Sequence, residues 1–186
     1  MKIKEIAKII SNSGGRMYMV GGAVRDIILG REPKDYDYCV TGLSEEELKE
    51  LFPMAVIRGK DFSVFDFNGI EIALARKERK IKKGHRGFIV EANKSLTIKD
   101  DLKRRDITIN SIAMDVLTGE KIDFYGGIQD IHHKIIRATS DAFSEDPLRV
   151  YRVARFAAEL DFQIDSKTIQ LMKSLKSELE SLSVGF

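Results

Sequence analysis

A glycine pair, an arginine and two alternating carboxylates lie close together near the start of this chain. They read Val20-Gly21-Gly22-Ala23-Val24-Arg25-Asp26, then Asp35-Tyr36-Asp37. The surrounding pattern predicts a strand (Met17 to Val20), a glycine turn, a helix (Ala23 to Leu29) and a second strand (Asp35 to Val40). With no Cβ at the corner, a ligand can approach the backbone closely. The helix opens with unpaired N–H groups and a partial positive charge, which suit phosphate oxygens. Arg25 adds a planar fork of donors for the same oxygens. On a strand, residues i and i+2 share a face, so Asp35 and Asp37 are expected to project side by side. Two adjacent carboxylates repel unless a cation sits between them. Mg2+ held by one or two carboxylates plus substrate phosphates is a common solution. Two such ions can stabilise the attacking and leaving oxygens of an in-line displacement. Taken singly, the glycines read as a tight connection and Asp-x-Asp as a solvated edge strand; taken together, they favour a triphosphate site. The spacing is not G-x-G-x-x-G, and no G-x-x-x-x-G-K-[ST] loop occurs.

Composition narrows the class. A chain of 186 residues fits one domain and part of a second. Charged residues make up 32%, yet the net charge is only +2, so any affinity for nucleic acid must come from local basic patches. The single cysteine, Cys39, excludes an internal disulfide framework and suits a reducing, cytoplasmic setting. It continues the Asp35/Asp37 face and reads as a small buried residue rather than a reactive thiol. No apolar run approaches a membrane span, and Met1 to Ile10 carries alternating lysines instead of a signal-peptide core.

Further along, residues 2–12 read as an amphipathic helix with Ile3, Ile6, Ile9 and Ile10 on one face. Ser44 is an expected N-cap, with three glutamates in the first turn of a helix that ends near Phe52 and Pro53. Phe62 to Phe67 and Ile70 to Ala75 form an expected hairpin around Asn68-Gly69. Arg76 to Arg86, with seven basic residues and one acidic, reads as a mobile loop, either solvated or in contact with RNA phosphates. Thr97-x-x-Asp100 is a capping box for a helix through Arg104. A second hairpin joins Ile112 to Val116 with Lys121 to Phe124. From Ser140 the pattern turns helical, with one helix over Pro147 to Leu160 and another from Ser166 to about Leu182. The stripe of Leu171, Leu175, Leu179 and Leu182 has no evident partner, which suggests a helical region cut short. The expected division is a catalytic unit over 1–139 and a helical unit over 140–186.

Four later segments carry chemistry. Arg104-Arg105-Asp106-Ile107-Thr108-Ile109-Asn110 offers two cations and a carboxylate, either helix-end charges and a cap or nucleotide contacts. Asp123-Phe124-Tyr125-Gly126-Gly127 leads to Ile135-Ile136-Arg137. In Glu145-Asp146-Pro147-Leu148-Arg149, Asp146 and Arg149 stand one helical turn apart. Asp146 before Pro147 makes a good N-cap; the same pair can also meet the hydrogen-bonding edge of a base. Arg149, Arg152 and Arg155 form a basic stripe, with Val150, Val153, Ala154 and Ala157 expected opposite it in the core. Glu71 is a third carboxylate whose direction the sequence leaves open. His85, His132 and His133 show no ligand or triad spacing.

These five segments, in this order and spacing, resemble the bacterial class II nucleotidyltransferases: tRNA CCA-adding enzymes, their CC-adding and A-adding relatives, and bacterial poly(A) polymerase. The similarity runs from Tyr18 to Phe162. It implies an α/β head of the polymerase-beta-like kind, with a small mixed sheet flanked by helices, followed by an all-helical neck. It implies transfer of CMP and/or AMP from CTP and ATP to the 3′ end of tRNA, with pyrophosphate leaving. By the same resemblance Asp35 and Asp37 hold Mg2+, and Gly21, Gly22, Arg25 and Asp26 belong to the metal and triphosphate motif. Arg104, Arg105 and Asp106 match the ribose-recognition motif, with Asp106 toward the 2′-OH. Asp146 and Arg149 match a protein template for the base, with Arg152 and Arg155 near the nucleotide or the RNA end. Two other readings stand beside this one: a poly(A) polymerase with the same chemistry, and a head-and-neck fragment that binds nucleotide or RNA without catalysis.

Overall fold

The computed structural model describes residues 2–59, 63–67, 69–80 and 88–181. A seven-stranded sheet forms the centre. Its strands are β1 (Arg16–Val20), β2 (Asp37–Thr41), β3 (Val56–Arg58), β4 (Val64–Asp66), β5 (Glu71–Leu74), β8 (Ala113–Asp115) and β9 (Lys121–Ile122), in the order β3-β4-β5-β2-β1-β8-β9. Only β2 and β5 pair in parallel; the other neighbours are antiparallel. A separate two-stranded arm joins β6 (Arg76–Lys80) to β7 (Phe88–Ala92).

Alternation along the strands decides what covers each face. Met17, Tyr38 and Val40 pack with Ile6 and Ile10 of α1 (Ile3–Asn12) and Leu48 of α3 (Glu45–Leu51). Tyr18, Val20 and Cys39 point the other way, onto Ile98 and Leu102 of α4 (Ile98–Lys103). A third cluster joins Val24 of α2 (Gly22–Ile28), Ile109 and Ile131 to Phe143, Val153, Leu160, Phe162 and Leu175. It draws residues from both sides of position 140.

The caps form as the sequence predicts. Ser44 and Glu47 exchange hydrogen bonds at the start of α3, and Thr97 and Asp100 do so at the start of α4. In Asp123-Phe124-Tyr125-Gly126-Gly127, the Asp123 carboxylate accepts the Gly127 and Ile128 N–H groups and so caps α5 (Gly127–His133). A Cβ at Gly127 would collide with the Thr108 carbonyl, so this glycine lets α5 seat against the short 3-10 turn Thr108–Asn110.

Several expectations are corrected. Asp35 is not in a strand. Pairing stops at Asp37 on both sides, because β1 leaves the sheet after Val20, opposite Asp37, and β5 begins at Glu71, also opposite Asp37. Arg76 to Lys80 is a strand rather than a loop; residues 81–87 of the basic run lie outside the described residues. Phe62 and Asn68 also lie outside them, but β4 and β5 pair as the hairpin requires. In α6 (Arg149–Leu160) the buried face is Arg149, Val153, Phe156 and Leu160, while Ala154 is exposed. Steps of three residues drift around a helix, and that carries Arg149 onto the core side. The last helix is two, α7 (Ser166–Ser174) and α8 (Lys176–Ser181), broken at Leu175. Leu175 is buried in the third cluster and Leu171 packs against it, so the first half of that leucine stripe does have a partner; Leu179 is half-buried outside the cluster, and Leu182 lies outside the described residues. Nor is the region after 140 all helical, because β11 (Gln163–Ile164) returns to pair with β10 (Ile135–Ile136).

Candidate active site

One cleft of about 900 Å3 opens between the glycine corner and α6. Its lining includes Gly21, Gly22, Arg25, Asp26, Asp35, Asp37, Arg104, Arg105, Asp106, Asp146, Arg149, Arg152 and Arg155. These residues come from three distant segments, and the fold brings them to one space. Reasoning from sequence missed Asn110 and Phe156, which also line it, along with Arg31, Lys34 and Glu159. Seven arginines and one lysine line the cleft together with seven carboxylates, so its cations act as placed donors rather than through an excess of charge.

The corner needs its glycine. Gly21 has φ +73°, which side chains rarely tolerate, and a Cβ there would stand 2.9 Å from the Arg105 guanidinium and 4.0 Å from the Asp37 carboxylate. Asp35 and Asp37 are both exposed, and neither is hydrogen-bonded or ion-paired through its side chain to another described residue. Among the described residues no group of three or more His, Cys, Asp or Glu is ready-made for a metal ion. Any cation here would therefore rest on this pair together with ligand oxygens.

Several other acids of the cleft are engaged. Asp26 accepts from Arg25, at 2.9 Å from Nε and 2.8 Å from the second guanidinium nitrogen. The remaining Arg25 nitrogen donates to the Asn110 side chain at 2.8 Å. Arg25 is thus clamped in place rather than left to sweep the cleft. Asp106 accepts the Ile107 N–H at 2.9 Å and Arg152 Nε at 2.7 Å.

Behind the cleft lies a carboxylate that attracted no attention in the sequence. Asp101 is 1% exposed. One of its oxygens accepts from Arg104 at 3.0 Å and the other from Arg105 at 3.0 Å. Burial alone would push this carboxyl up, but the flanking Arg105 and Arg104 guanidiniums outweigh it and hold Asp101 below its usual range. Arg104 also donates to Glu78 at 2.8 Å, and Glu78 accepts from Arg76 at 3.0 Å, tying the β6–β7 arm to the same network.

Arg149, 8% exposed, donates to the carbonyl oxygens of Ala142 and Arg104, each at 2.7 Å. It braces the cleft wall as well as lining it. Asp146 has extended backbone, and its carboxylate accepts the Leu148 N–H at 3.0 Å. That is cap geometry, although the regular helix starts three residues later, at Arg149. Glu71 acquires a direction: it is the register partner of Asp37 and, with Asp37, Arg104 and Arg105, lines a neighbouring groove of about 340 Å3. Cys39 is buried, and burial pushes its thiol well up, which removes it from acid–base work. His132 and His133 lie exposed at the end of α5, outside the cleft lining; His85 is outside the described residues.

Known proteins resemble this chain in sequence and in fold. A multifunctional CCA protein from Shewanella denitrificans is 50% identical over 175 residues, covering 90% of this chain and 42% of that relative. A CCA-adding enzyme from Alteromonas mediterranea is 48% identical over 176 residues, covering 90% and 43%. The chain thus spans less than half the length of the curated relatives it matches. Among solved structures, the Bacillus stearothermophilus CCA-adding enzyme in complex with CTP superposes with a TM-score of 0.78 at 32% identity, over 98% of this chain and 46% of that one. Residues 17–137, which carry the glycine corner, Asp37, the Arg104–Arg105–Asp106 run and the capped start of α5, match the poly A polymerase head domain, and the chain belongs to that family.

Proposed function

We propose that this chain carries the nucleotide-transfer site of a template-independent RNA nucleotidyltransferase, which adds CMP and/or AMP from CTP and ATP to the 3′ end of tRNA. One observation carries the reading: two exposed carboxylates, without side-chain partners among the described residues, in an arginine-lined cleft beside a glycine corner. The names of the relatives and their solved complexes support the choice of substrates. We take residues 1–139 as the catalytic head and 140–186 as the neck.

The donor set at Asp35 and Asp37 fits Mg2+: two hard oxygen ligands with their lone pairs uncommitted, leaving room for substrate phosphates. When bound, such ions lower the pKa of the attacking hydroxyl and neutralise charge on the leaving phosphates. The chain's own groups do the rest. The Gly21–Gly22 backbone and Arg25 hold the triphosphate, and Arg104 and Arg105 flank it. Asp106, with lone pairs left beyond its two hydrogen bonds, takes the ribose. Asp146 and Arg149 face the base, with Arg152 and Arg155 toward the nucleotide or the RNA end. The RNA 3′-oxygen forms a bond to the α-phosphorus as the bond to pyrophosphate breaks. Among the described residues no helix is long and apolar enough to cross a membrane.

The direct test is incubation with labelled ATP and CTP and tRNA lacking its 3′ end, followed by sequencing of the added residues. Untemplated C and A additions are the expected result. Long adenosine runs on any RNA would move the assignment to a poly(A) polymerase, and no addition at all would leave a binding module. Within this reading, Arg25→Ala should raise the KM for CTP and ATP alike by roughly tenfold to a hundredfold, the worth of one charge-assisted hydrogen bond (about 1.5–3 kcal/mol). Phosphate contacts carry no base information, so a loss confined to one nucleotide contradicts the assignment. Asp146→Asn separates cap from template, because Asn caps about as well as Asp. A template Asp146 requires UTP and GTP to compete about tenfold better in this variant, with an unmoved melting temperature, since a good planar pair is worth roughly 1–3 kcal/mol. Unchanged selectivity leaves the cap as the whole role. Arg149→Ala is the poorer probe, because it also strips the Ala142 and Arg104 carbonyls of their donor.

A further inference from the structure

Three arginines of the cleft converge on a single ring. The guanidinium carbons of Arg25, Arg152 and Arg155 lie 5.3, 5.6 and 5.0 Å from the centroid of Phe156. Phe156 is 8% exposed and lines the cleft. The Arg152 and Arg155 contacts are local to α6: Arg152 stands at the i, i+4 spacing at which helix neighbours meet, and Arg155 is the residue next to the ring in sequence. Arg25 comes from α2, on the opposite wall, and nothing in the local sequence dictates its approach to that ring.

Three like charges around one point repel, and two features offset this. Arg25 and Arg152 each have a carboxylate of their own, Asp26 and Asp106, within 2.9 Å. The π-face of Phe156 supplies the shared negative potential that draws guanidiniums to within about 6 Å of a ring centroid. Arg155 depends on the ring most, because its carboxylate partner Glu159 stands 3.7 Å away and both side chains are more than half exposed. We propose that Phe156 is a positioning residue: its ring face sets Arg25, Arg152 and Arg155 as one preorganised receptor for the phosphate chain of the nucleotide. This rests on the transferase reading for the identity of the ligand, but not for the role of the ring, which requires only that the cleft bind polyphosphate.

The test is chosen so that neither packing nor turnover can imitate it. Mono- to penta-fluorinated phenylalanine is installed at position 156 of the chain, which drains the ring's face of negative potential with little change in size. Inorganic tripolyphosphate is then titrated calorimetrically, and the melting temperature of each protein is recorded. Affinity should fall stepwise with fluorine count, to about tenfold weaker at the end of the series, at near-constant melting temperature. Phe156→Tyr, which keeps the face, should bind like the parent, and Phe156→Leu, which keeps apolar bulk only, should resemble the most fluorinated ring. A flat series, or equal losses in Phe156→Tyr and Phe156→Leu, overturns the role of the ring. Tripolyphosphate that does not bind the parent protein overturns both this role and the transferase reading. A graded series in a chain that transfers no nucleotide keeps the ring's role and removes the transferase.

Discussion

Asp35→Ala and Asp37→Ala are each expected to cut nucleotide transfer by roughly a thousandfold or more, ~4 kcal/mol of transition-state stabilisation, while leaving the fold intact. The two halves of this result have separate causes. Loss of transfer follows because Asp35 and Asp37 flank the glycine corner with no hydrogen-bonded or ion-paired side-chain partner among the described residues, whereas Asp26, Asp101 and Asp106 are spoken for by Arg25, Arg104, Arg105 and Arg152. Retained stability follows from exposure, since surface substitutions away from buried networks move stability by only about ±0.5 kcal/mol. For a chain of this size that is within about 2 °C of melting temperature. The measurement pairs single-turnover addition to tRNA lacking its 3′ end with thermal melting. Transfer surviving in the Asp35→Ala, Asp37→Ala double variant would sink the metal-site assignment. Loss of transfer accompanied by a large drop in melting temperature would show that these acids hold structure.

The parts of this site that were legible in the sequence are those whose signal is local. Gly21 could be read as a corner because a strand pattern ends one residue before it, and the structure gives it positive φ with Arg105 against it. The N-cap at Ser44 and the capping box at Thr97 were legible because donor and acceptor sit three residues apart. Arg149 was misplaced for a related reason: a repeat of three looks like a stripe, yet a helix turns every 3.6 residues, so only the later arginines stay on the open face. The arm was missed because Arg-Lys-Glu-Arg-Lys has no apolar alternation. It is ordered by pairing with β7 and by charge, through the Arg76 N–H to Asp101, Arg76 to Glu78, and Lys77 to Asp100. Asn110 and Phe156 were invisible as site residues because each meets Arg25 from far along the chain. Distances in space between segments are set by the sheet order, which no single window encodes.

Asp101 is the sharpest instance, and it yields the second large prediction. In the sequence it is one more acid in the first turn of a helix, where acids are common. In the fold it is a buried carboxylate whose two oxygens each hold a guanidinium that lines the cleft. Asp101→Asn preserves the shape and removes the charge. Arg104 keeps Glu78 as a partner, but among the described residues no second carboxylate is hydrogen-bonded to Arg105, on which Asp37 acts only through its charge. Breaking a buried pair from one side costs on the order of 3 kcal/mol, so melting should fall by about 6–12 °C. The KM for CTP and ATP should rise together, because in the proposed function both nucleotides meet the same two arginines. The pH dependence separates this cause from simple misfolding. The Asp101 carboxyl is held below its usual range in the fold, so its contribution is complete above the unfolded value near ~4 and fades as pH falls through the lower folded value. The stability gap between the parent and Asp101→Asn should therefore be widest near neutrality and close progressively below about pH 4. A gap that stays constant down through that range would mean that the side chain acts by shape alone. An unchanged nucleotide KM in the variant would mean that Arg104 and Arg105 keep their places without it.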